Sequence, residues 1–291
     1  MRKILDLLKL KYKDEKWFEF LDQLVYRYFD DDVTAIGAQL TYYITLSIFP
    51  FLIFFLSLLK YTPLADANVL ERLLSPLPFQ TQKILYDLTI EIIERSNLTL
   101  LSFGAITAII SASSGIMSVI RAINKAYDLD ELRPFLKLKT LSIVFAIGLY
   151  IILLVAFSIL VTGEVIIRRI FTSYTIPAVI IWKILKVLVP FLLMLIIFSL
   201  LYKFAPSVKK GIRIKIMDTL PGAAFASLGW VLISLIFSYY MNNYGSYTKS
   251  YGTLGGMMVF LIWIYISCVL VVLGGEINAT LQVINDKDIM V

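Results

Sequence analysis

Six stretches of this chain contain no Asp, Glu, Lys or Arg: residues 33–59, 96–120, 140–163, 187–202, 219–248 and 250–275. They are 27, 25, 24, 16, 30 and 26 residues long. A helix needs about 20 predominantly apolar residues to cross the hydrocarbon core of a bilayer. Five runs exceed that length, and the fourth reaches it with its flanks. Composition closes the soluble alternative. Of 291 residues, 59% are hydrophobic and only 16% charged, against about 45–50% and 25% in ordinary domains. Surface-to-volume scaling leaves a globule of this size too little interior to hide that excess. The reading is an all-α, polytopic membrane protein with six transmembrane helices.

The organisation follows from the runs. Residues 1–32 read as a cytoplasmic amphipathic helix, 33–279 as one six-helix transmembrane domain, and 280–291 as a cytoplasmic tail. In the first segment Trp17, Leu21, Leu24 and Tyr28 recur at helical spacing among charged residues, the pattern of a helix lying on the membrane surface. Asp30, Asp31 and Asp32 then supply acceptors to the unpaired N–H groups of the first span, with divalent-cation binding as the alternative. The external segment 61–95 carries Pro63, Pro76 and Pro78 and an apolar periodicity through Ile84, Leu88 and Ile92, which predicts short amphipathic helices. With both termini inside, the inner segments hold 18 Lys and Arg and the outer ones 9, the bias expected of cytoplasmic loops.

Residue types that are missing exclude chemistry. The chain has no histidine and one cysteine, Cys268. Histidine-based zinc sites, triads and proton relays are therefore absent, and no disulfide can form within the chain. Ser111, Ser113 and Ser114 have no histidine to activate them and no lysine within two turns along the sequence. No metal, no bound cofactor and no catalytic residue is predicted. The net charge of +6 reads as an insertion signal in loops next to spans, not as a nucleic-acid interface. The expected partners are membrane lipids, an amphiphilic or small-solute ligand, and a further copy of the chain.

Candidate site residues are the polar groups inside the runs. Gln39, Tyr43 and Ser47 fall on one stripe of the first span, followed by Pro50, which lacks an N–H and is expected to bend the helix. The stripe lines a polar groove or bonds to other helices. Asn242, Asn243 and Tyr244 lie near the outer turn between the last two spans and complete the substrate-groove candidates. In that stretch Gly252 suggests a tight turn and pairs with Gly256 as a GxxxG contact, with a structural or gating role. Lys183 and Lys186 precede the short fourth run, either snorkelling to headgroups or facing a wet cavity. Glu276 follows Gly274 and Gly275 at the inner end of the last span, where it pairs with Arg121 or Lys125, or couples a proton. Gly104, Ala108 and Ala112, at intervals of four, predict close helix packing.

Four stretches carry a family resemblance: AIGAQLTYYITLSIFPFLIFF at 35–55, INKAYDLDELRPFLKLK at 123–139, KFAPSVKKGIRIKIMDTLPGAAFASLGW at 203–230 and YGTLGGMMVFLIWIYISCVLVVLGGEINA at 251–279. Together they resemble the YihY/BrkB family of bacterial inner-membrane proteins, long mislabelled as ribonuclease BN. The resemblance implies a six-helix integral membrane fold, with lipid or solute translocation as the usual guess at its activity. A ribonuclease needs a ligand cluster that this sequence lacks. The expectation is a transporter or translocase of an amphiphile or small solute, and the alternative is a non-transporting scaffold or envelope-maintenance protein. On the predicted topology, in a variant lacking Cys268, a cysteine at Ala67 reacts with an impermeant thiol reagent in intact cells and one at Asn285 does not. The reverse labelling pattern inverts the topology.

Overall fold

The computed structural model describes residues 16–59, 97–170, 176–208, 214–244 and 247–284, with a few isolated positions between 86 and 94. Within the helices, side chains are left undescribed at 56, 59, 156–183, 186–187 and 241–254. The N-terminal 15 residues, nearly all of 61–95 and the tail from 285 lie outside the described residues, as do the expectations made for them.

Seven helices make up the described chain: α1 (Lys16–Asp30), α2 (Val33–Leu59), α3 (Leu98–Ala126), α4 (Phe135–Ile170), α5 (Ile176–Phe204), α6 (Ile216–Tyr244) and α7 (Tyr247–Ile284). Among the described residues there is no strand. Among the described residues five helices, α2, α3, α4, α6 and α7, are long and apolar enough to cross a membrane. Helix α5 has 29 residues; its described apolar stretch is Leu188–Phe204, and most side chains of its first part lie outside the described set. The side chains of Lys183 and Lys186 lie outside the described set, and with them the choice between snorkelling and a wet cavity.

Each long helix packs on its sequence neighbour, from α2 through α7, and α7 returns to α2 to close a ring. The surface is the inverse of a soluble protein's. Phe49, Phe103, Leu232 and Leu235 are about 60% exposed, which only a hydrocarbon solvent makes favourable. The best-buried side chains sit at one end of the ring. Val33, Ile120, Ile123, Tyr127, Tyr202, Ala205, Ala223, Val272 and Ala279 belong to one cluster there, where α2 and α6 begin and α3, α5 and α7 end.

Small residues set two of the helix contacts. Gly104 and Ala108 of α3 are buried, and a Cβ on Gly104 would stand 3.0 Å from the Phe54 backbone nitrogen of α2. At the α6–α7 crossing, a Cβ on Gly222 would overlap the Gly274 carbonyl and come within 2.7 Å of the Asn278 amide carbon. Gly252 and Gly256 behave differently from the sequence expectation. Both lie inside α7, and a Cβ on Gly256 would meet nothing within 4 Å. A helix tolerates an interior glycine at a cost of about 1 kcal/mol.

That contrast fixes a prediction. Gly222→Ala lowers thermal stability in detergent by about 1–3 kcal/mol through overpacking. Gly256→Ala leaves stability unchanged or raises it by up to about 1 kcal/mol, since alanine is the better helix former. Equal effects at the two positions would contradict the α6–α7 contact.

Candidate functional site

A half-open chamber of about 380 Å³ lies between α2, α3, α4, α5 and α7. Its wall is almost entirely apolar, with Leu40, Ile48 and Phe51 from α2, Ile116 and Val119 from α3, Phe198 from α5 and Ile264 from α7. Tyr43, Ser47, Tyr150 and Trp263 carry the polar atoms on it. Two of the three stripe residues therefore reach the chamber, Tyr43 and Ser47, whereas Gln39 is exposed.

Ser47 of the stripe bonds within its own helix and also to Tyr150 of α4. Ser47 Oγ donates to the Ile44 carbonyl at 2.8 Å, Thr41 to Gly37 at 2.7 Å and Thr45 to Thr41 at 2.7 Å. These hydroxyls satisfy themselves on their own helix, as Ser and Thr do when no water competes. Helix α2 runs continuously through Pro50. Asn242, Asn243 and Tyr244 end α6; their side chains lie outside the described set.

Tyr150 was not among the sequence candidates, yet it binds three helices together. Its hydroxyl donates to the Ala108 carbonyl of α3 at 2.9 Å, and its ring stacks on Phe51 of α2 with centroids 4.9 Å apart. A phenolic hydroxyl in the middle of a 24-residue uncharged run was the available signal, because it must find a partner.

Below the chamber, the tightly packed end is closed by a polar network. The Asn124 amide donates to Glu131 at 2.8 Å and its oxygen accepts the Ser207 backbone N–H at 2.6 Å. Arg133 grips Glu131 through Nε and Nη2, both at 2.6 Å, and donates to the carbonyls of Phe204 and Ala205 at the end of α5. Arg27 of α1 donates to the Ala126 carbonyl and pairs with Asp128 at 3.2 Å. Asn278 of α7 accepts the Gly222 N–H at 2.8 Å and donates to the Thr219 carbonyl at 3.1 Å. The Tyr202 hydroxyl donates to the Val271 carbonyl at 2.6 Å.

Glu276 departs from both of its expected pairings. It is fully buried, and neither carboxyl oxygen has a hydrogen-bond partner among the described residues. Lys125 instead reaches Asp31 at 3.6 Å and the Asp30 carbonyl at 3.0 Å, and Arg121 is exposed. Asp31, also buried, is the acid that interacts most strongly with Glu276. Burial pushes the Asp31 carboxyl above its ordinary value, with Lys125 and Arg27 pulling the other way. Asp32, the last of the triplet, is exposed and turns the chain with φ of 51°. Its carbonyl accepts the Ile36 N–H at 3.0 Å, the first bond of α2.

The serines of α3 do have a lysine, supplied by the next helix. Lys139 Nζ lies 2.8 Å from Ser113 Oγ. The polarity is wrong for a nucleophile, because the Ser113 hydroxyl already donates to the Ile110 carbonyl at 2.8 Å and the side chain is fully buried. Among the described residues no group of three or more acidic or cysteine side chains could hold a metal.

Burial raises the Glu131 carboxyl, but hydrogen bonds and charge from Arg133 outweigh it and hold the group below the ordinary 4.5. A lowered carboxyl contributes stability that is present above the unfolded value and lost as pH falls through the folded one. Thermal stability in detergent accordingly drops below about pH 4.5 in the parent protein. Arg133→Gln starts lower at neutral pH and shows a shallower fall between about pH 5 and about pH 3. Parallel pH profiles would remove Glu131 from the clamp.

The family model described as Virulence factor BrkB matches residues 24–289. A protein of Bacillus subtilis (strain 168) named putative ribonuclease-like protein YfkH is 38% identical over 90% of this chain and 95% of its own. A UPF0761 membrane protein of Psychrobacter sp. (strain PRwf-1) is 25% identical over 97% of this chain, which spans about half (52%) of that longer protein. A UPF0761 membrane protein of Tolumonas auensis is 38% identical over 32% of this chain and 30% of its own. No solved structure matches the chain.

Proposed function

The chain belongs to the BrkB family of integral membrane proteins, and from that premise we propose that it binds and translocates a membrane amphiphile, housing the apolar part in the chamber between α2, α3, α4, α5 and α7. The chamber itself carries the reading. Its volume of about 380 Å³ falls in the range of small-molecule sites, about 300–1,000 Å³. Its wall offers hydrocarbon to a guest and only a few hydroxyls. An inorganic ion would need rings of carbonyls or charges in place of its hydration shell, and the chamber wall has neither. The ribonuclease-like name of the Bacillus relative finds no counterpart here, since nucleic-acid cleavage would call for an activated nucleophile or a metal.

In this reading α5 is the sixth span, and the protein sits in the bacterial cytoplasmic membrane with both termini inside. The two-to-one excess of Lys and Arg in the inner segments supports that orientation. Tyr43 and Ser47 contact the guest at the chamber wall, and Tyr150 holds the wall together.

Reconstitution tests the proposal. Full-length protein in liposomes accelerates the transbilayer movement of fluorescent phospholipid analogues over protein-free liposomes. Gly115→Leu narrows the chamber, because a Cβ there already stands 3.3 Å from Tyr43 Cβ, and it lowers the rate by about tenfold, the equivalent of ~1.4 kcal/mol. Rates indistinguishable from empty liposomes, with the protein folded, would leave the scaffold alternative in its place.

A further inference from the structure

The seam between α3 and α4 holds a cation with no anion beside it. Lys139 Nζ lies 2.8 Å from Ser113 Oγ and 3.4 Å from Ser114 Oγ. Both hydroxyls donate to the Ile110 carbonyl, at 2.8 and 3.2 Å, so each turns a lone pair toward the ammonium. No described carboxylate lies within ion-pair distance of Lys139. Ser113 stands eight residues deeper along α3 than the exposed Arg121, a rise of about 12 Å. It belongs to the uncharged run 96–120 and to a helix long enough to span. A lysine near the start of a span ordinarily extends toward the headgroups. This one is committed to hydroxyls within hydrocarbon depth, where an intramembrane charge marks a functional site by default.

One turn further from the clamped end, the same seam opens into an apolar pocket of about 130 Å³. Ala105 and Ile109 border it from α3, and Ile147 and Ile151 from α4. Ile109 precedes Ser113 by one turn and Ile147 follows Lys139 by two, so pocket and ammonium succeed each other along one groove. An apolar cavity of ~150 Å³ stays dry and takes a benzene-sized guest. A slot of this size therefore suits a segment of hydrocarbon chain.

We propose that Lys139, Ser113 and Ser114 form a headgroup subsite for an anionic amphiphile, whose chain lies in the pocket between Ile109 and Ile147. The ligand supplies the missing counter-charge, and a phosphate or carboxylate oxygen accepts a charge-assisted hydrogen bond from Nζ. This deepens the amphiphile reading above by naming the charge of the cargo, and it rests on that reading. Two sources share the chemistry: a diacyl phospholipid and a single-chain fatty acid.

The test is lipid retention by the full chain, measured by native mass spectrometry after exchange into mixed micelles of phosphatidylglycerol and phosphatidylcholine. The parent retains phosphatidylglycerol about tenfold over phosphatidylcholine. Lys139→Gln abolishes the preference and Lys139→Arg restores most of it. Ile147→Trp fills the pocket and lowers retention with the lysine intact, which keeps the question open to refutation should Lys139→Gln fail to fold. Palmitate that displaces phosphatidylglycerol assigns the subsite to a single-chain carboxylate, and phosphatidylglycerol retained against palmitate assigns it to a phospholipid. A parent without preference, or a folded Lys139→Gln that keeps it, overturns the subsite. Translocation of a zwitterionic analogue separates the two readings: if it persists while the anion preference is missing, only the subsite falls.

Discussion

Where water is excluded from the bundle, every buried backbone N–H and C=O at a helix end needs a partner from the protein. The whole ring depends on how that demand is met at one end. Asn124 joins the end of α3 to the Ser207 backbone, Arg133 takes two carbonyls at the end of α5, and Asn278 takes an N–H and a carbonyl at the start of α6. Each such bond is worth only about 0.5–1.5 kcal/mol net, but leaving its buried partner unmet costs about 1–3 kcal/mol. The clamp thus fixes α3, α5, α6 and α7 relative to one another, and the chamber above it is a consequence of where they then diverge.

The spans were legible because one variable decides them. A run of 20 or more uncharged residues has few alternatives in any solvent, and the helices found cover all six runs. Partners across the bundle were not legible. Glu276 was expected to meet Lys125, but Lys125 has the closer Asp31, and no spacing rule ranks acceptors on different helices. Lys139 was read as one more cytoplasmic positive charge, because along the sequence it lies far from Ser113. Asn278 was not among the candidate residues, because its mates lie on another helix. Gly252 misled because a glycine in a polar, tyrosine-rich stretch reads as a turn, whereas the helix simply continues through it.

The stretches that carried the family resemblance prove to be pieces of one assembly. Residues 123–139 supply Asn124, Glu131 and Arg133, and 203–230 supply the carbonyls of Phe204 and Ala205, the Ser207 N–H and Gly222. Residues 251–279 supply Gly274 and Asn278. Pattern recognition reached these segments without their reason. The reason is the clamp, where small residues permit contact and amides bridge backbone groups. The polar residues of 35–55 play a different part. Because Thr41, Thr45 and Ser47 spend their hydroxyl protons on their own helix, α2 presents an almost apolar wall to the chamber despite its polar sequence.

The distribution of tightness also constrains access. At the clamped end Tyr127, Tyr202 and Glu276 are fully buried, and the close α6–α7 crossing at Gly222 and Gly274 leaves no width for an acyl chain. A guest of the chamber on the proposed reading therefore enters between helices, not along the ring axis through that end. Seams differ in what opening them breaks. At α6–α7, parting the helices strips Asn278 from two backbone groups in a buried setting. At α3–α4 the bonds lost are the Lys139 contacts to serine hydroxyls and the Tyr150 bond to Ala108, and an anionic headgroup can replace the former as it arrives. The seam that carries the unpaired ammonium is thus the one whose opening a charged amphiphile offsets, which makes the cation and the chamber parts of the same proposed route.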